Sequence, residues 1–136
     1  MTKVSGPLRD RIDISIDVGP VEYDAIKKRE SGKTPGSAEM RGDVNRVYEL
    51  QQLRYKNEEI KFNAKLSPAM IDKYCVFDAE SGRLLEAAYK KYAFSARADA
   101  KVKKLARTIA DIEGSDSIRV EHVAEAIGYR APGAYI

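Results

Sequence analysis

The sequence predicts a mainly α fold, a helical bundle of four to five helices preceded by one strand. From residue 37 onward, apolar residues recur at spacings of three and four, which is the period of amphipathic helices packed on a core. Residues 12–18 (IDISIDV) instead alternate apolar and polar side chains, and Gly19-Pro20 follow at once. This period of two, ended by a turn signal, predicts a strand.

Composition narrows the class of protein. The chain has 136 residues, which suits one domain, and 24 Lys and Arg against 21 Asp and Glu give a net charge of +3. This near balance is far from the basic bias of a dedicated nucleic-acid binder. A lone cysteine excludes an internal disulfide, and no Cys or His pair has metal-ligand spacing. With no long apolar run and no signal-peptide pattern, we expect a soluble, cytoplasmic protein without membrane contact.

Capping residues predict where the helices begin. The first helix opens at Ser37, and its incomplete apolar stripe predicts a face that is only half buried. Ser67-Pro68 is a cap followed by a proline suited to the first helical turn, so a short helix follows it. Asp78 caps the next helix.

The C-terminal third carries the most regular helix of the sequence. Ser95 caps it, Gly114 ends it, and the apolar residues between them keep helical spacing: Ala98, Val102, Leu105, Ile109 and Ile112. A last short helix follows Ile118-Arg119 and closes near Gly128.

The predicted strand needs partners, because its backbone N–H and C=O groups pair only within a sheet. We therefore expect residues 12–18 to be the last strand of a sheet encoded before residue 1. Residues 27–37 (KKRESGKTPGS) lack periodicity and predict an exposed, mobile connector. The chain accordingly divides into residues 1–36, the end of a core domain, and residues 37–136, a helical domain.

Arg97 is a candidate anion-binding residue. It follows the capping Ser95 by two positions, so it lies at a helix N-terminus, where backbone N–H groups and the dipole favour an anion such as phosphate. A basic residue in this turn is disfavoured unless an anion compensates it. The alternative is a solvated arginine stabilised by Asp99 or another acid. Lys101 and Lys104 share its helical face, and for both we expect solvent exposure.

Other side chains of types that often occur in functional sites have simpler structural interpretations. His122 has no catalytic or metal-binding partner in the sequence, so we expect a surface or structural histidine. Cys75 precedes an apolar pair and is interpreted as a small buried hydrophobe. The first helix carries three arginines that could face nucleic acid, but nearby acids dilute their field: Arg41, Arg46 and Arg54 among Glu39, Asp43 and Glu49.

Three segments together justify a family resemblance: SGPLRDRIDI at 5–14, NAKLS at 63–67, and SARADAKVKKLARTIADIEG at 95–114 with EHVAEAIGYR behind it. In order and spacing they resemble the C-terminal part of the magnesium chelatase-like AAA+ ATPases, the ComM or YifB group. The chain is more distantly similar to true magnesium chelatase ATPase subunits and to minichromosome maintenance helicases. The resemblance implies that residues 37–136 are a helical lid and that residues 1–36 end an AAA+ core.

The resemblance also implies a ring, expected to be a hexamer, that binds ATP with Mg²⁺ between neighbouring subunits. Arg11 matches the family's arginine finger, which reaches the γ-phosphate held by the adjacent subunit. Arg97 matches the lid sensor of the bound nucleotide. Fingers of this kind accelerate hydrolysis roughly a thousand-fold or more. Taken without the resemblance, Arg11 is an arginine at a strand edge paired with Asp10 or Asp13.

No GxxxxGK[ST] loop occurs in the sequence, so we expect no ATP hydrolysis by these 136 residues alone and no bound nucleotide. The expected partners are the upstream AAA+ core of the same protein, other copies in the ring, and DNA. The best-described members of the group are linked to DNA branch migration, which makes DNA remodelling the preferred output. Metal-chelatase assembly is the alternative within the family, and a helical adaptor without nucleotide chemistry is the alternative outside it.

Overall fold

The computed structural model describes residues 6–20 and 35–130. Within them the chain is helical, which confirms the predicted fold class. The helices in order are α1 (Gly6–Arg9), α2 (Ser37–Arg54), α3 (Pro68–Tyr74), α4 (Ala79–Tyr92), α5 (Ala96–Glu113) and α6 (Val120–Arg130), with one 3₁₀ turn at Asn63–Lys65. The described part contains no sheet, and its one isolated parallel bridge joins Phe77 to Ile118.

The predicted caps are confirmed at three helix starts and one helix end. At α2 the N-cap is Gly36 rather than Ser37, and no side chain caps the helix. The side chain of Ser67 accepts from the backbone of Met70, and that of Asp78 accepts from Ser81 at 2.7 Å. The hydroxyl of Ser95 accepts from the backbone N–H of Ala98 at 3.1 Å. The helix that it starts ends at Gly114, whose φ of 78° is left-handed, a conformation that glycine adopts without a steric penalty.

The last helix forms where it was predicted. Among the described residues it runs from Val120 to Arg130, two residues past Gly128. The last two residues of the helix are engaged by the N-terminal segment, because the carbonyl of Tyr129 accepts from the N–H of Ser15 at 2.8 Å and Arg130 donates to the carbonyl of Ile12. Contacts distant in sequence therefore join the end of α6 to the N-terminal segment.

Residues 12–18 do not form the predicted strand. A strand exists only where a second strand accepts and donates its ladder of hydrogen bonds, and the described residues hold no such neighbour. The segment instead lies against the helices, with one backbone hydrogen bond from Ser15 to α6. Its apolar side chains remain uncovered, with Ile16 67% and Val18 88% exposed.

The boundary between residues 36 and 37 stays a prediction. Most of the predicted connector, residues 27–34, lies outside the described residues. On the C-terminal side of the boundary, the first ten residues of α2 are all exposed, and Val47 and Gln51 are its buried positions. The prediction of a half-buried first helix is therefore confirmed in an extreme form, since burial is confined to its second half.

The core surrounds α5, which contacts α2, α3, α6 and the 3₁₀ turn. Val102, Ala106 and Ala110 on α5 are fully buried, as are Val123 and Ala126 on α6. Alanine at these positions lets the two helix backbones approach closely, because there is little side chain between them. The fold is thus organised around one long helix with a narrow apolar face.

A buried charge cluster joins this helix to α2. We call it the Asp111 cluster: Asp111, Arg54, Arg107, Asn63 and Gln51. The Asp111 carboxylate has no exposed surface. Arg54 donates to its two oxygens at 2.6 and 2.8 Å, Arg107 donates at 3.0 Å, and the amide of Asn63 donates at 2.8 Å. Gln51 completes the cluster at 3.3 Å. One carboxylate therefore joins α2, the 3₁₀ turn and α5.

The excess positive charge of the cluster is also accommodated. Arg107 is 3% exposed, and its remaining donors reach the backbone carbonyls of Ser115 at 2.6 Å and Asp116 at 2.8 Å. These carbonyls follow the C-terminus of α5, so Arg107 fixes the turn that leads to α6. Because buried polar groups are costly when unpaired, the complete set of partners is what makes the cluster tolerable in a core.

The Asp111 cluster predicts a specific acid sensitivity. Burial alone raises the pKa of Asp111, but hydrogen bonds from Arg54 and Asn63 and the charges of the two arginines outweigh it, so the pKa lies below the ordinary value of 3.8. A lowered native pKa gives stability that is present above pH 4 and is lost as pH falls through the native value. Urea unfolding at pH 7 and pH 3 measures this loss.

The control is Asp111→Asn, which removes the titrating group at similar size. We expect this variant to be less stable than the wild type at pH 7, by about 3 kcal/mol, and to lose less stability between pH 7 and pH 3. An equal acid loss in both proteins would contradict the assignment. Other carboxyl groups with lowered pKa values, among them Glu58 and Glu113, are present in both proteins, so their contributions to the acid loss cancel in the comparison.

Candidate functional site

Arg11 lies just after α1, in a segment that crosses the N-terminal half of α5. Its carbonyl accepts from Nζ of Lys101 at 2.8 Å, and its side chain is exposed. Both neighbouring acids are engaged by other groups. Asp10 accepts from the hydroxyl of Ser95 at 3.0 Å, and Asp13 pairs with Lys101 at 2.5 Å. The structure therefore does not pair Arg11 with either acid, and within residues 6–20 and 35–130 its guanidinium has no ion pair.

Arg97 is the second residue of α5 and is exposed. The acid that could have neutralised it, Asp99, pairs instead with Lys103 at 2.8 Å, one turn along the same helix. No other described residue pairs with the Arg97 side chain. The position thus combines a helix N-terminus with an uncompensated guanidinium, and both features attract an anion.

The structure brings together the segments that carry these two arginines. Asp10, next to Arg11, binds Ser95, which lies two residues before Arg97. Lys101, one turn after Arg97, binds the backbone of Arg11 itself. The two residues are distant in sequence, but each lies within a few residues of a direct contact between the segments. The contacts therefore join the backbone around Arg11 to the N-terminal part of α5, the helix that carries Arg97.

Sequence reasoning missed the residues that hold this arrangement. Lys101 was expected to face solvent, yet its side chain is 20% exposed and makes two contacts with the N-terminal segment. Lys104, expected to be equally free, donates to the carbonyl of Ala64 at 3.2 Å. Arg130 pairs with Asp10 at 3.7 Å. Only its position at the end of the last helix could have drawn attention to Arg130.

His122 has a structural role, as expected. It is 2% exposed, and its Nδ1 accepts from the backbone N–H of Arg119, the residue before α6, at 2.9 Å. Its Nε2 therefore carries the proton and faces the carboxylate of Glu113. Hydrogen bonds from His122 and Arg119 lower the pKa of Glu113. The imidazole thus caps α6 and ties its start to the end of α5.

The lone cysteine is also explained by packing. Cys75 is 4% exposed in the core, and burial raises the pKa of its thiol to about 11. It stays neutral at physiological pH and is a poor nucleophile. The expectation of a small buried hydrophobe is confirmed.

The arginines of α2 do not form a basic surface. Arg54 belongs to the Asp111 cluster. Arg46 donates to the carbonyl of Ile112 at 2.9 Å and lies 3.6 Å from Asp43. Two of the three arginines on this helix thus have protein partners.

The described residues offer neither a metal site nor a membrane-spanning helix. Across residues 6–20 and 35–130, no group of three or more His, Cys, Asp or Glu side chains could hold a metal ion. No helix in this part of the chain has the length and apolar character needed to cross a membrane. The candidate site therefore consists of cationic and backbone donors.

Known proteins resemble the chain along almost its whole length. The family model described as magnesium chelatase, subunit ChlI C-terminal, matches residues 34–130. An uncharacterized protein YifB of Salmonella typhimurium is 37% identical over 131 residues, and the competence protein ComM of Haemophilus influenzae is 36% identical over 132 residues. Each alignment covers 96% of this chain and 25% of the relative, so the chain spans about a quarter of their length. The chain therefore belongs to the magnesium chelatase-like ComM/YifB family and corresponds to its C-terminal region.

Proposed function

We propose that this chain supplies two phosphate-contacting arginines to an AAA+ ATPase. Arg11 is the arginine finger, which acts on ATP bound by a neighbouring subunit, and Arg97 is the lid sensor of the nucleotide. One observation carries the proposal. Both guanidinium groups are exposed and have no partner among the described residues, although acids lie beside them in the sequence and are engaged elsewhere.

The chemistry of the side chains suits the role. A guanidinium stays charged at all physiological pH values and donates two parallel hydrogen bonds to oxygens of one phosphate. During phosphoryl transfer, negative charge is redistributed over the γ-phosphate and the leaving oxygen. A positioned arginine stabilises that charge more in the transition state than in the ground state. Arg11 and Arg97 would do this without exchanging a proton.

The proposal assigns the rest of the site to other parts of the assembly. The described residues contain no metal-ligand cluster, and the chain has no phosphate-cradling loop. ATP and its Mg²⁺ would be held by an upstream AAA+ core, to which this lid is joined. We propose that full-length subunits form a cytoplasmic ring, hexameric by family resemblance. In this ring, the arginine finger of each subunit completes the ATP site of its neighbour.

The contact between the two arginine-bearing segments supports a further detail. If Arg11 and Arg97 of one chain lie at the same end of α5, one nucleotide can contact both. The lid arginine would then act on the same ATP as the finger, across the subunit boundary.

The preferred output is DNA remodelling. A relative is named a competence protein, and we propose that the full-length protein acts on DNA, by branch migration. The description of the matching family model favours metal-chelatase assembly as the second candidate.

Point variants of the full-length protein test the site assignment. We expect Arg11→Ala to lower the kcat for ATP hydrolysis by about a thousand-fold, since a finger contributes roughly that factor. Arg97→Ala should lower kcat or raise the KM for ATP. The matched control is Arg83→Ala, because Arg83 is an exposed arginine on a neighbouring helix. Wild-type hydrolysis by both Arg11→Ala and Arg97→Ala would contradict the proposal.

Mixed rings test whether the finger acts between subunits. Arg11→Ala subunits are mixed with subunits that have a disabled phosphate-binding loop and an intact finger. We expect hydrolysis to recover, because the loop of one subunit meets the finger of the other. Two inactive proteins that stay inactive when mixed, although they assemble, would exclude action in trans.

A stimulation assay separates the two outputs. ATP hydrolysis by the full-length protein is measured with branched DNA, with duplex DNA, and with a Mg²⁺-loaded porphyrin-chelatase partner complex. We expect branched DNA to raise kcat most strongly. Stimulation by the chelatase partner alone would assign the protein to metal insertion.

A further inference from the structure

We propose that a polar latch between the helical lid and the segment around Arg11 positions the finger and couples it to Arg97. The latch consists of Asp10 and Asp13 on the segment and Ser95, Lys101 and Arg130 on the helices. These five are positioning residues, since none is proposed to touch the nucleotide. The inference rests on the proposed function of Arg11.

The contacts of the latch are made by residues on both sides of Arg11 in the sequence and by its own carbonyl. On one side, Asp10 accepts from Ser95 at 3.0 Å and lies 3.7 Å from Arg130. On the other side, Lys101 binds Asp13 at 2.5 Å and the carbonyl of Arg11 at 2.8 Å. The side chains of Lys101 and Arg130 are 20% and 6% exposed, so packing holds both donors close to the segment.

None of the latch contacts uses the side chain of Arg11. The polar contacts that residues 10–13 make with the helices run through a backbone carbonyl or through an acid beside Arg11, and none runs through its guanidinium. Simple surface pairing would have placed an arginine between two acids in contact with one of them. The helices occupy those acids instead, which fixes the backbone of residues 10–13 and leaves the guanidinium for another partner.

The latch also spans Arg97. Ser95 precedes Arg97 by two residues and Lys101 follows it by about one helical turn, so both are rigidly linked to it through α5. A shift of α5 when Arg97 contacts phosphate must move the atoms that hold Asp10 and Asp13. Two sites that bias one structural element are coupled by necessity.

The strength of the latch suits a reversible element. A single partly exposed ion pair shifts an equilibrium by a factor of about two to five, so several such contacts hold the segment without making release slow. Loss of one contact should therefore weaken docking measurably and leave the helical core intact.

The first arm of the test measures docking in the 136-residue chain without ATP. The N–H of Ser15 donates to the carbonyl of Tyr129 across this interface, so its hydrogen exchange reports docking. We expect Lys101→Met to speed exchange at Ser15 by about two- to five-fold and Lys101→Arg to restore protection. Exchange at the buried Val123 should stay unchanged. The control is Lys103→Met, which removes a lysine paired within α5, and it should leave Ser15 protected.

Unchanged exchange at Ser15 in Lys101→Met would overturn the latch. So would equal acceleration at Ser15 and Val123, because the variant would then act on the whole fold.

The second arm measures ATP hydrolysis by the full-length protein. We expect Lys101→Met and Asp10→Ala to lower kcat by about three-fold or more with the KM for ATP unchanged. Subunits with a disabled phosphate-binding loop and an intact finger should rescue both, and Lys101→Arg should keep the wild-type rate. If Arg11→Ala is inactive while Lys101→Met keeps the wild-type kcat, the latch is wrong and the finger stands. If Arg11→Ala is itself fully active, the proposed function fails, whatever the exchange data show.

Discussion

The fold depends on one buried carboxylate, Asp111, which is bound by two arginines and two amides from three parts of the chain. Its position on the core side of α5 is costly unless every partner is in place, because an unpaired charge in a core is strongly unfavourable. The main effect of the cluster is therefore to select one arrangement of the helices, rather than to add to the stability of the fold. Only one arrangement of α2, the 3₁₀ turn and the α5–α6 turn satisfies it, and that arrangement fixes how α5 lies in the lid.

The two halves of α5 therefore differ in where their charged side chains lie. Its C-terminal half holds Arg107 and Asp111 in the core, and its N-terminal half presents Arg97 and Lys101 near the surface. Arg97 and Asp111 are separated by 14 positions, which is roughly 21 Å of helix at the usual rise. A rigid helix anchored at one end can transmit a small shift at the other, which suits a lid that responds to a nucleotide. The polar latch and the candidate phosphate contacts both lie at the N-terminal end, away from the Asp111 cluster.

Local signals predicted the helices well, because a cap needs only its own helix. Ser67, Asp78, Ser95 and Gly114 act within a few residues of themselves, and each has the predicted role. The alternation over residues 12–18 is equally clear, but a strand depends on a partner elsewhere. Without that partner in the described residues, the same residues lie against α5 and α6. Periodicity thus predicts what a segment can form, and pairing decides whether it does.

The Asp111 cluster was not predicted, although three of its five members lie in two of the segments that carry the family resemblance. Arg107 and Asp111 are four residues apart on the apolar face of α5, and Asn63 opens the NAKLS segment. A charged pair among apolar positions was the available signal, since such positions are buried. Its partners on α2 lie some sixty positions away, and nothing local pairs Arg54 with Asp111. Arg97 was singled out by its position at a helix N-terminus and Arg11 by the family resemblance, whereas the residues that hold their segments together required the structure.

A double-mutant cycle on Arg54 and Asp111 tests most directly whether this carboxylate fastens α2 to α5. Urea unfolding of the wild type, Arg54→Met, Asp111→Asn and the double variant gives the coupling free energy. We expect the double variant to lose about 2 kcal/mol less unfolding free energy than the two single variants lose together. The second substitution removes a charge that the first has already left without its partner. Single losses that add to within about 0.5 kcal/mol would contradict it.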